Sequence, residues 1–70
     1  MMKLTIDEKA DALYFRWDES PIVDSQQAAP GVVLDYNDRD EVVGVEILHL
    51  SRRSSPLRLD ELIFQTARAV

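Results

Sequence analysis

Residues 2–7, Met-Lys-Leu-Thr-Ile-Asp, alternate apolar and polar, with Met2, Leu4 and Ile6 on one side and Lys3, Thr5 and Asp7 on the other. A period of two is the signature of a half-buried strand. After the polar break Asp7-Glu8-Lys9-Ala10, the alternation resumes from Asp11 to Trp17. Leu13, Phe15 and Trp17 share the core side, and Ala12, Tyr14 and Arg16 the other. So short a connection predicts an antiparallel pair. Asp18-Glu19-Ser20-Pro21 reads as a turn. Ile22 to Ala29, apolar only at its start, reads as a short edge strand or an extended loop whose polarity discourages stray pairing.

The strongest local signal is a hairpin. Gly31-Val32-Val33-Leu34-Asp35-Tyr36 and Val42-Val43-Gly44-Val45-Glu46-Ile47-Leu48 flank a polar turn. A four-residue loop, 38–41, sets Tyr36 opposite Val43, Leu34 opposite Val45 and Val32 opposite Ile47. That register puts all the bulky apolar side chains on one face. A three-residue loop would mix them with Gly44 and Glu46, and a one-residue slip reverses every side chain, so burial selects the first register.

Beyond a loop from His49 to Ser55, the period changes. Leu59, Leu62, Ile63, Thr66, Ala67 and Val70 recur at helical spacing, and Ser55-Pro56 matches an N-cap followed by the first helical position. The pattern predicts a helix over about 56–69, with a competing start at Asp60. The expected fold is therefore α+β: an antiparallel sheet of four to five strands over 2–48, with one C-terminal helix packed on its apolar face, in a single domain 1–70.

Size sharpens this picture. At 70 residues one core rarely supplies more than about 3–5 kcal/mol. With no Cys and one His, disulfides and the usual Cys/His zinc sites are excluded. Association remains as a staple, so a homodimer is expected. The net charge of −5 disfavours nucleic acid as the main partner and suits a basic protein. No apolar run approaches the roughly 18–20 residues that span a bilayer. The first residues lack the apolar core of a signal peptide, and the Cys-free composition suits a reducing cytoplasm.

The candidate chemistry lies on the sheet face opposite the helix. Asp35 faces Gly44 and Glu46 faces Val33, so the two carboxylates are diagonal neighbours about 7–8 Å apart. Gly44 would leave space beside Asp35 for a ligand. Such a pair suits acid/base work or a hard divalent cation. The alternative is that both acids are solvated or pair with Arg16 or Lys3. With no nucleophile neighbourhood, phosphate loop or metal-ligand cluster, no catalytic residue, metal or cofactor is assigned, and the chain reads as a non-enzyme. Tyr14, Arg16, Val33, Asp35, Gly44 and Glu46 instead form a mixed surface suited to protein contact. Trp17 is expected in the core. His49 is read as a structural residue at a strand end, and Arg52 and Arg53 as a solvated loop.

Four stretches, Lys3-Leu4-Thr5-Ile6-Asp7, Asp11-Ala12-Leu13-Tyr14, Gly31 to Tyr36, and Val42 to Leu48 followed by Ser51, together resemble the small bacterial proteins grouped as domain of unknown function 2283. The resemblance covers 3–51. This chain departs from it in the hairpin turn, where Asp40 stands in place of the family's usual Gly; Asp tolerates the left-handed conformation better than most residues. The resemblance implies a small sheet-rich domain without assigned biochemistry. Relatives that look like partners in toxin–antitoxin pairs imply an antitoxin-like role. Three functions are therefore in view: a self-associating protein-interaction module, an inhibitor of a basic partner, and, third, a carboxylate enzyme or cation-binding protein using Asp35 and Glu46.

Overall fold

A computed structural model describes residues 1–53 and 57–68. It shows five strands: β1 (Lys3–Asp7), β2 (Ala12–Arg16), β3 (Asp24–Ala29), β4 (Val32–Tyr36) and β5 (Val42–Ile47). All neighbours are antiparallel, in the order β1-β2-β5-β4-β3. A β1–β2 hairpin and a β3–β4–β5 meander thus join through β2 and β5. The weak polar segment is a true edge strand, exposed along its whole length. In β1 the expected alternation appears directly, with Leu4 and Ile6 half-buried and Lys3, Thr5 and Asp7 exposed.

The hairpin satisfies both the loop and the burial constraint by a route absent from the simple register. Val32 faces Ile47 and Leu34 faces Val45, but Tyr36 faces Val42, with a register shift after Asp35. The Asn37 N–H donates to the Glu41 carbonyl at 3.0 Å, and the Asp40 N–H to the Asn37 carbonyl at 3.1 Å. The loop is therefore three residues, with Asp40 left-handed at φ 62°. This is the turn-plus-αL arrangement typical of three-residue hairpin loops. Val43 is the extra residue on β5. A bulge adds one residue to one strand, so it cancels the slip the shorter loop would cause. Val43 is fully buried, and its carbonyl accepts the Trp17 N–H at 3.1 Å.

Asn37 holds this turn together. Its Oδ1 accepts the N–H groups of Arg39 (2.9 Å) and Glu41 (3.0 Å), and its Nδ2 donates to Glu41 Oε1 (3.0 Å) and Ser20 Oγ (3.4 Å). A buried amide is stable only when so satisfied. At the other end of the sheet Asp11, left-handed at φ 57°, binds the short 3-10 turn Leu50–Arg52. Its carboxylate accepts the Ser51 N–H at 3.0 Å and the Ser51 hydroxyl at 2.7 Å, and its carbonyl accepts the Leu50 N–H at 3.1 Å. The Ser51 hydroxyl holds the Asp11 carboxyl below its ordinary range. Leu50 is seated by this clasp and is buried.

The C-terminal helix is not formed across 57–68; residues 56 and 69 lie outside those described. Among the described residues the α+β expectation thus reduces to an antiparallel sheet with one 3-10 turn. Instead Arg58 closes a local turn, bidentate to Asp60 at 3.1 Å and within 3.0 Å of Glu61. A helix this short needs an apolar face buried against something, yet Leu62, Ile63 and Phe64 are 68, 88 and 77 % exposed. Trp17 also departs from expectation: it lies just past β2, 39 % exposed, with its ring 5.6 Å from that of Phe15.

Removing the Asn37 amide strands the N–H groups of Arg39 and Glu41. Asn37→Ala should lower unfolding free energy by about 1–3 kcal/mol, read as a lower urea midpoint at unchanged slope. Asp40→Gly should leave the midpoint equal or higher, because glycine occupies the left-handed region without penalty.

Candidate functional site

The polar sheet face gathers Tyr14, Arg16, Val33, Asp35, Gly44 and Glu46 as the alternation requires. Arg16 is paired with Gly44 and Gly44 with Asp35, while Tyr14 is paired with Glu46 and Glu46 with Val33. Asp35, 9 % exposed, and Gly44 are the buried members. Asp35 Oδ2 accepts the Tyr14 hydroxyl at 2.9 Å and its Oδ1 accepts the Ser25 hydroxyl at 2.6 Å. Because Tyr14 stands on β2, Asp35 on β4 and Ser25 on β3, the network ties three strands and crosses a fourth, β5, over Gly44.

Gly44 is what permits the crossing. A Cβ there would lie 2.8 Å from the Tyr14 hydroxyl oxygen and 3.2 Å from its Cζ. The space expected beside Asp35 is therefore filled by the phenol rather than open to a ligand. Burial, reinforced by the hydrogen bond to Asp35 and by its charge, pushes the Tyr14 hydroxyl above its ordinary value, which keeps it a donor.

Arg16 pairs with neither carboxylate. Its Nε donates to the Asp18 carbonyl at 2.9 Å and its Nη2 to the Ser20 carbonyl at 2.6 Å, so it braces the turn after β2. Asp18 completes that turn by accepting the Ser20 N–H at 2.8 Å and the Ser20 hydroxyl, whose bond holds the Asp18 carboxyl low. Among the described residues no ion pair joins Asp35 or Glu46 to Arg16 or Lys3. No group of three or more His, Cys, Asp or Glu side chains among them is placed to hold a metal ion. Ser25, Asn37 and the Asp11–Ser51 clasp were not legible as partners. Ser25 comes opposite Asp35 through the β3–β4 register, which strand parity alone does not set; Asn at the start of a hairpin turn is a familiar side-chain-to-backbone cap.

The opposite face is the less finished one. Only Ala12, Val43 and Leu50 are buried apolar side chains among the described residues. Leu4, Ile6, Leu13, Phe15, Val45 and Ile47 are half-buried. Leu57 to Ile63 runs beside Ile6 and Leu13, and Leu62, Ile63 and Phe64 lie beside Met2, Leu4 and Phe15. The segment shelters the β1–β2 half of the face while leaving much of its own apolar surface in water.

A five-stranded antiparallel sheet with a hydroxyl–carboxylate network on one side and an incompletely covered apolar face on the other defines the class of domain. The chain belongs to the family described as protein of unknown function DUF2283, whose model matches residues 3–51. No curated protein and no solved structure gives a match. The matched residues include all five strands and end at Ser51, the partner of Asp11. No helix among the described residues is long and apolar enough to cross a membrane.

Tyr14→Phe should cost about 1–2 kcal/mol by leaving a buried carboxylate oxygen short of a donor, and Gly44→Ala should cost at least as much by displacing the ring. The raised Tyr14 value adds a pH signature. Stability from this group is fully present below the ordinary tyrosine value of about 10 and is lost as pH rises through the higher folded value. Urea midpoints followed above pH 10 should therefore fall less steeply in Tyr14→Phe than in the parent.

Proposed function

We propose that this chain is a non-enzymatic protein-interaction module that associates with itself. The observation that carries the reading is the unfinished apolar face. Leu57, Leu62, Ile63 and Phe64 are at least half exposed beside half-buried sheet residues, whereas the three buried apolar side chains among the described residues make a meagre core. A contiguous exposed apolar surface of this kind marks a contact surface, and a second copy would supply the missing burial. The Asp35 network supports the non-enzymatic part, since both carboxylate oxygens serve hydroxyls that knit the sheet. The Cys-free composition suits a reducing cytoplasm.

A second reading, binding of a basic protein partner as an antitoxin-like inhibitor, draws on charge placement. The loops at one end of the sheet bring together Asp18, Glu19, Asp38, Asp40 and Glu41 beside Asp24 at the start of β3. Arg39 offsets Glu41 at 3.0 Å and the Met1 ammonium lies 4.0 Å from Glu19, so Asp18, Asp24, Asp38 and Asp40 are the acids that would steer a cationic surface. Association through it would weaken steeply with salt, since exposed charges are screened over about 8–10 Å at physiological ionic strength.

Sedimentation velocity from about 1 to 100 μM tests the leading reading. The protein should sediment as a dimer in the upper part of that range, and Phe64→Ser, at a site already mostly in water, should shift the equilibrium toward monomer without lowering the unfolding midpoint. A monomer throughout, in both salt-free and physiological buffer, would remove self-association.

A further inference from the structure

The two sheet edges differ in a way that selects one of them for pairing. β3 carries a register shift between Gln27 and Ala29 and runs into Pro30, both devices that blunt an edge. β1 carries neither. It pairs with β2 in unbroken register through all its residues, from Lys3 opposite Arg16 to Asp7 opposite Ala12, and its outer side has no strand neighbour.

The sequence of that edge is complementary to itself when reversed. If two copies of β1 lie antiparallel with Thr5 facing Thr5, Lys3 faces Asp7 and Leu4 faces Ile6, each twice by symmetry. Both charged residues are exposed. Lys3 makes no ion pair among the described residues. Asp7 uses Oδ1 to accept the Ala10 N–H at 2.9 Å, and its other oxygen is left for a partner. Lone charges on an edge deter pairing, but opposite charges placed directly across it favour pairing in one register only.

We propose that β1 pairs with β1 of a second copy of this chain, antiparallel about Thr5, with Lys3 of each copy against Asp7 of the other. This assignment rests on the self-association reading and names its seam. The two-fold axis stands perpendicular to the sheet, so the apolar faces of both copies lie on the same side and become continuous. The Leu4 and Ile6 row of one copy extends beside that of the other. The segment holding Leu62, Ile63 and Phe64, which lies beside Met2, Leu4 and Phe15, borders that joined row.

Charge exchange tests the register. Lys3→Asp places carboxylates opposite one another at both symmetric positions, and Asp7→Lys does the same with ammonium groups. Each should weaken the dimer at least about tenfold by sedimentation, given the cost of like charges directly opposed. The double variant Lys3→Asp/Asp7→Lys restores opposite pairs and should recover dimerisation to within about threefold of the parent. A second measurement is independent of these charges. In this Cys-free chain, Thr5→Cys should form an intermolecular disulfide under mild oxidation, since residues directly opposed across an antiparallel pair lie within disulfide reach. Lys9→Cys, in the turn after β1, should not. A parent that dimerises while the single charge variants dimerise equally well and Thr5→Cys fails to cross-link would overturn the seam and leave self-association standing through another surface. A monomeric parent would overturn both.

Discussion

A phenol lying over a glycine ties this sheet together. Tyr14 reaches from β2 across Gly44 on β5 to the Asp35 carboxylate on β4, which in turn accepts the Ser25 hydroxyl from β3. Backbone ladders join only adjacent strands, and each ladder can slip. The side-chain network joins strands that are not neighbours, and it can form in one register alone. A buried carboxylate would be a liability without donors. With two hydroxyls aimed at it, Asp35 becomes the point at which the β1–β2 hairpin and the β3–β4–β5 meander are held in alignment.

The ends of the sheet are closed by similar economy. At one end Asn37 serves as donor and acceptor for a three-residue loop and touches Ser20, while Arg16 caps the carbonyls of the turn containing Ser20. At the other, Asp11 clasps Ser51 and seats Leu50. Three non-glycine residues, Asp11, Asp40 and His49, adopt left-handed backbone at these corners. The polar face and the corners are thus well satisfied, and no buried side-chain polar atom among the described residues lacks a partner. The apolar face stands in contrast, which is why the functional reading turns from the carboxylates toward association.

Legibility followed the range of the interaction concerned. The alternation in β1, β2, β4 and β5 was plain because burial of one face imposes a period of two on each strand separately. The pairing of Leu34 with Val45 and of Asp35 with Gly44 was legible for the same reason. Tyr36 was misplaced because the choice between a four-residue loop and a three-residue loop with a bulge at Val43 depends on how Asn37 and Asp40 close the turn, and both solutions leave the apolar pattern intact. Alternation puts Tyr14 and Asp35 on one face, but their contact requires β5 to lie between β2 and β4, which no local pattern encodes.

The amino-acid sequence by itself determined that β1, β2, β4 and β5 extend, which side of each of these faces the interior, and the acidic, Cys-free character of the chain. The tertiary structure alone decided the strand order, the conversion of Gly44 from open space into a seat for Tyr14, and the absence of a helix over 57–68. Alternation is a local property, enforced residue by residue at a water boundary. Strand order is not, because it depends on which distant surfaces meet. The helical spacing of Leu59, Leu62 and Ile63 is a conditional signal of the same kind: it describes a face that becomes a helix only where something buries it, and in a single copy those side chains remain half-buried or exposed.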